Sequence, residues 1–316
     1  MMGEDIVVAD DNGRLSDNQV MAIVIVPKIA SSLSMVGSAY IIWQVLRQRK
    51  LSRMYHRLVL CMSFGDLISS FGIFLGLWPA PTENLNDGDL IGNMGNIATC
   101  DAQGFIVSFG SACTCCYNTV LTVYFLLFVK YSWNETRLRK IEPIFHAFAI
   151  LLPLIDSIFN LVMGWYNTGL PCCYLATYPW RCTTDSNIEC ARGENAANGI
   201  FAIATGAAIN VVVIVTCLVM LSTHVRRIEA RASQYSGSRN LARRRSSVNS
   251  NELKRSKMVL IVACWYIGSY VMFLAAFVVC LIVYSMFIVS EHKTIHPDQI
   301  NFYVTTFVGC RFIRKR

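Results

Sequence analysis

The stretch Ala197–Ser222 reads ANGIFAIATGAAINVVVIVTCLVMLS and carries no formal charge over 26 residues. A bilayer core needs about 20 apolar residues to be crossed by one helix, so this block is long enough to span. Backbone polar groups in hydrocarbon must bond within their own segment, which makes such a block an α-helix. The sequence then changes abruptly. Residues 223–257 carry ten Lys and Arg, among them Arg243, Arg244 and Arg245.

The same alternation runs along the chain. Apolar blocks fall at about 20–46, 57–80, 100–130, 143–166, 197–222 and 258–289, and a shorter one at 300–313. Hydrophobic residues make up 54% of the 316 and charged residues 15%, against about 25% charged in soluble domains. The expected fold class is an all-α membrane protein, a seven-transmembrane helix bundle with a short or truncated seventh helix. NFYVTTFVGC before RFIRKR covers only about 15 Å as helix, about half the hydrocarbon thickness. The polar, acidic start lacks the features of a cleavable signal peptide, so the first span is expected to act as the insertion signal.

Lysine and arginine set the orientation. Four stretches, 47–57, 130–142, 223–257 and 311–316, hold 23 of the 28; the alternate side holds only Arg14, Arg181, Arg192 and Lys293, with Lys28 inside a span. The basic side is expected to be cytosolic. Most acidic residues, including Asp10, Asp11, Asp87, Asp89 and Glu194, lie on the other side. The expected domains are an extracellular N-terminus (1–19), a bundle (20–313) and a mobile third cytosolic loop (223–257). The net charge of +8 is thereby assigned to topology and not to nucleic acid.

Cys100 opens the third block on the outer side, and the outer loop before the fifth holds Cys172, Cys173, Cys182 and Cys190. The outer side permits disulfides. A bridge from Cys100 would pin the loop over the bundle; local bridges would merely stabilise it. The cysteines within spans read as small packing residues.

Asp66 and Asp156 fall near mid-span. An ionisable group there costs about 2.5–3.5 kcal/mol on insertion scales, which makes each either a polar switch or a hydrogen-bond hub facing the bundle interior. Lys28 is expected to snorkel outward. The basic inner surface suits an acidic partner or anionic lipid headgroups, and Arg243-Arg244-Arg245-Ser246-Ser247 makes Ser246 and Ser247 candidates for phosphorylation. The sequon at Asn134 falls on the cytosolic side and is expected to be unused. The chain has no metal-ligand spacing, phosphate-binding glycine loop or nucleophile elbow, so neither an enzyme nor a cofactor is expected.

These features together resemble the G-protein-coupled receptors: seven helices, N-terminus out, a cysteine at the top of the third helix and another in the second outer loop. Finer details are similar to the cyclic-AMP-receptor-like branch, near the secretin-like receptors. They are Arg57-Leu-Val-Leu-Cys-Met-Ser-Phe-Gly-Asp66-Leu67, Cys100-Asp-Ala-Gln103-Gly104-Phe105, and Pro171-Cys172-Cys173-Tyr174-Leu175 in place of a Trp-Cys-Trp-Ile motif. The resemblance implies a Cys100–Cys173 bridge, with Cys182 and Cys190 pairing locally and Cys172 free. It implies a heterotrimeric G protein as partner, met by Lys130, Arg137, Arg226, Arg227, Lys254, Arg255 and Lys257, and an unknown extracellular ligand received at the plasma membrane. Two departures stand out: Val129-Lys130-Tyr131 occupies the place of an Asp-Arg-Tyr motif, and no proline follows Cys264-Trp265 two residues on.

A multi-pass transporter or channel is the alternative. Such proteins often carry internal repeats and several midplane charges, which this chain lacks. A retinal protein needs a Schiff-base lysine in the last span, and 300–313 contains none.

Overall fold

The computed structural model describes residues 17–48, 51, 53–82, 92–169, 171–179, 182 and 189–235. These form five long helices and one small hairpin: α1 (Asp17–Arg47), α2 (Met54–Leu75), α3 (Ile97–Val129), α4 (Glu135–Val162), β1 (Tyr166–Asn167), β2 (Tyr174–Leu175) and α5 (Ala196–Tyr235). All five helices contain stretches long and apolar enough to cross a membrane. The expected spans 258–289 and 300–313 lie outside the described residues.

Local chemistry sets the helix ends. Asn96 opens α3 with a reciprocal box: its side chain accepts from the Thr99 N–H at 2.9 Å, and the Thr99 hydroxyl accepts from the Asn96 N–H at 2.8 Å. This satisfies two of the donors that any helix start leaves open. The Arg53 side chain makes no cap bond at α2; the cap comes from another helix, as the Glu135 carboxylate accepts from the Met54 N–H at 2.7 Å. At its other end α2 stops at Gly76, whose φ of +60° suits a residue without a Cβ.

Helix boundaries differ from the hydropathy blocks, because hydropathy marks the stretch that tolerates lipid, not the stretch that is helical. The block at 57–80 ends as helix at Leu75. The block at 143–166 begins eight residues earlier, at Glu135, and ends at Val162. The largest difference is in 223–257, expected as a loop from its first residue. Helix α5 continues through it to Tyr235. Arg, Glu and Ala are strong helix formers, so RRIEARASQY extends the helix without needing lipid.

α3 is the axis of the described bundle. It packs against α2, α4 and α5, while α1 packs on the far side of α2. The α2–α3 approach is close because it is built on small residues. A Cβ at Gly110 would stand 2.7 Å from the Ser69 N and 2.8 Å from the Gly65 O. Cys100 and the loop after α4 meet at one end of the bundle, the cystine end. The short links α1–α2 and α3–α4 lie at the opposite, basic end.

Candidate functional site

At the cystine end the long link between α4 and α5 is folded onto α3. Its hairpin pairs Tyr166 with Leu175 and Asn167 with Tyr174. Beside it, Cys173 is bonded to Cys100, with an S–S distance of 2.07 Å. The next residues of α3 continue the attachment. Both Asp101 carboxylate oxygens accept from Arg192 Nη2, at 3.0 and 2.9 Å. The Gln103 Oε1 accepts from the Cys173 N–H at 3.1 Å, while its Nε2 donates to the Gly72 and Gly76 carbonyls at 2.8 and 2.7 Å. Gln103 thus fastens the loop to α3 and α3 to the end of α2. The Tyr166 ring lies over Gly104, where a Cβ would stand 2.6 Å from it. Lower still, Cys172 is packed with Ile73 and Val107. The loop is therefore laid down along the first three turns of α3.

A second disulfide, Cys182–Cys190, closes a short stretch of the same loop with a sequence separation of 8. Cys172 remains a free, buried thiol, and burial pushes its pKa up to about 12, which leaves it protonated and unreactive at physiological pH. Burial likewise raises the Tyr174 hydroxyl above its ordinary value. Beyond α2, the Lys28 ammonium lies 4.2 Å from the centre of the Trp78 ring. A cation on an aromatic face is its arrangement.

Within the bundle, Asp66 is 1% exposed. Its Oδ2 accepts from Ser34 Oγ at 2.9 Å and from Ser38 Oγ, so it joins α2 to α1. Asp156 is half-buried on α4, and its Oδ2 accepts from Asn160 Nδ2 at 3.2 Å. Asp66 thus joins two helices, whereas the Asp156 bond stays within α4. No group of three or more His, Cys, Asp or Glu able to hold a metal occurs among the described residues.

At the basic end, Arg57 Nη2 donates to Glu142 Oε2 at 2.6 Å, joining α2 to α4. His146 Nε2 stands 3.6 Å from the same carboxylate, and the Tyr117 hydroxyl of α3 bonds the His146 Nδ1 at 2.9 Å. Lys130 lies over Tyr131 and Arg137 over Trp133. Arg137, Arg226 and Arg227 are exposed and Lys130 is half-buried. Lys254, Arg255, Lys257, Ser246 and Ser247 lie outside the described residues.

Gln103, Arg57, Glu142, Glu135, Ser34 and Ser38 were not singled out as site residues from the sequence. A signal existed for Gln103, a long polar side chain one turn below Cys100 in an otherwise apolar helix. The Arg57–Glu142 pair is separated by 85 residues and carried none.

Membrane-length helices running alternately up and down, packed on a central α3 and joined by short links at one end, define a multi-pass helical membrane bundle. Its fold is similar to that of squid rhodopsin, with a TM-score of 0.60 and 14% sequence identity over 96% of this chain and 77% of that one. The fold recurs across 347 chains of solved structures. The sequence matches no protein-family model and no curated protein.

Proposed function

We propose that the chain is a G-protein-coupled receptor of the plasma membrane, with its N-terminus outside, that transmits an extracellular ligand signal to a heterotrimeric G protein. The observation that carries this reading is the loop bound along α3 by Cys100–Cys173 within a rhodopsin-like bundle. In this reading the loop is a covalently held surface that meets the incoming ligand. The helix ends opposite it carry an excess of positive charge. A ligand that binds one packing of the helices better than another shifts their population and so the shape of the basic end.

In this reading the N-terminal 1–19, the bundle 20–313 and the cytosolic stretch 223–257 keep their assigned roles. Lys130, Arg137, Arg226, Arg227, Lys254, Arg255 and Lys257 face the G protein, with membrane lipid around them. Asp66 and Asp156 are the polar switch candidates. Ser246 and Ser247 take the phosphate that alters coupling. The branch assigned is the cyclic-AMP-receptor-like one.

Basal activation of each Gα class in cells displaying the chain is the test. We expect a signal above mock-transfected cells for one class, reduced by Arg137→Gln at equal surface display. Silence across all classes from a chain that reaches the surface would sink the receptor reading. Solute uptake or conductance in liposomes would instead establish the transporter or channel alternative.

A further inference from the structure

The first turns of α4 separate their charges by side. Glu135 and Glu142 turn inward and both are used. Glu135 accepts from the Met54 N–H, and Glu142 accepts from Arg57 through both carboxylate oxygens. They share the face of α4 that buries Leu138, Ala149, Pro153 and Asn160. Arg137 and Lys140 stand on the opposite face and are exposed. Neither forms an ion pair with a carboxylate among the described residues. The Arg137 guanidinium lies 5.5 Å from the centre of the Trp133 ring, and tryptophan is a residue enriched at membrane interfaces.

Below the two cations the exposed face continues as an apolar row. Ile144, Phe148, Leu151 and Ile155 follow Lys140 at intervals of three or four residues, the spacing that stacks side chains on one side of a helix. All four are exposed. From Ile144 to Ile155 the row is about 16 Å long, the depth of one leaflet of a hydrocarbon core about 30 Å thick. Orientation by positive charge needs only an excess of Lys and Arg at this end. It does not need the acids of the same turns to be withdrawn to the other face. By contrast, the exposed Arg226–Arg227 pair on α5 is preceded by Ser222, Thr223 and His224, so a polar turn separates it from the apolar part of its helix.

We propose that an anionic phospholipid of the leaflet at the basic end docks on this face of α4, with its phosphate between Arg137 and Lys140 and an acyl chain along Ile144, Phe148, Leu151 and Ile155. The order of parts matches: anionic headgroup against cations, chain against the apolar row. The lipid holds the first turns of α4 at headgroup level, and with them the carboxylates that Glu135 and Glu142 lend to α2. This inference needs only the bundle and not the receptor reading. Lys140 lies outside the set assigned to the G protein, so the two readings fail separately.

Native mass spectrometry of the full chain, in detergent supplemented with equal amounts of phosphatidylserine and phosphatidylcholine, tests it without any G protein. The wild type is expected to retain phosphatidylserine over phosphatidylcholine by about twenty-fold, each basic residue contributing about five-fold. Lys140→Gln is expected to lower that ratio about five-fold, and Arg137→Gln with Lys140→Gln to bring it to parity. Arg226→Gln with Arg227→Gln removes the same charge from α5 and is expected to leave the wild-type ratio. Parity in the wild type overturns the proposal, with no variant required. An equal loss from the α5 pair overturns it in favour of diffuse charge. Paired chains that retain neither lipid overturn it by giving the face to a second copy.

Discussion

The cystine end of the bundle is closed by a covalent bond, a buried amide with all its polar functions used, and a charge pair that reaches from α3 to the far end of the loop. The basic end is closed by side chains alone: Arg57 on Glu142, and Glu135 on the first turn of α2. Arg57 and Glu142 are 25% and 13% exposed, so solvent and salt act on them. The disulfide and Gln103 are beyond that reach. The comparison teaches that the two ends differ in what can loosen them. Ionic strength and acidic partners work on the basic end; at the cystine end salt reaches the Asp101–Arg192 pair, 20% and 23% exposed, but the disulfide and Gln103 still hold the loop and yield only to reduction or unfolding.

Cys173→Ser is the largest expected perturbation. In the chain-entropy account its bridge, with a sequence separation of 73, contributes about 4 kcal/mol. The shorter Cys182–Cys190 bridge, with a separation of 8, contributes about 2.5 kcal/mol. Thermal unfolding should therefore rank Cys173→Ser well below Cys182→Ser, and equal midpoints would break the claim that the α3 tether dominates. Gln103→Leu comes next. It removes three hydrogen bonds at once and leaves the Cys173 N–H buried without its partner, a loss of about 3 kcal/mol that salt should not change.

Glu142→Gln should cost only about 1 kcal/mol. The wild type should approach the variant's midpoint as salt rises toward 0.5 M, roughly the range where exposed charges are screened. A salt-independent difference would show that the basic end is as sealed as the other. The effect that is smallest at neutral pH concerns Cys172, since it is expressed only in alkali. Its pKa is raised from 9.0 to about 12 by burial. Below pH 9 the thiol is neutral whether folded or not. Between pH 9 and 12 the unfolded chain loses the proton and the folded chain keeps it, so stability falls as pH rises. Cys172→Ala should flatten that part of the alkaline decline in unfolding midpoint, and an unchanged slope would contradict the burial of this side chain.

Helices α1 to α5 were legible in the sequence because charge-free stretches of membrane length have few alternatives in lipid. Their ends were less so. Glu135 and Arg226 both lie in polar sequence yet both are helical, one as an acid suited to the first turn of α4 and the other because its segment favours helix without lipid. Of the site, the cysteines were visible as a set on one side of the membrane. Which of them joins Cys100 depended on a resemblance, since spacing alone allows several pairings. The docking of the loop on Gln103 and Gly104 was not legible, as it arises from the packing of segments about 70 residues apart. Asp66 stood out as an acid in an apolar block, but its serine donors on α1 are indistinguishable by sequence from Ser31 and Ser32, which bond only to backbone.

The Glu135 cap on α2 also has a consequence for biosynthesis. The two residues it joins are 81 apart. At roughly 5–20 residues per second, the first turn of α2 enters the membrane between about 4 and 16 seconds before its cap leaves the ribosome. During that interval the open N–H groups must be met by water or headgroups. The second helix is therefore finished only when the fourth arrives, and a ribosomal pause between the two lengthens the time it waits incomplete.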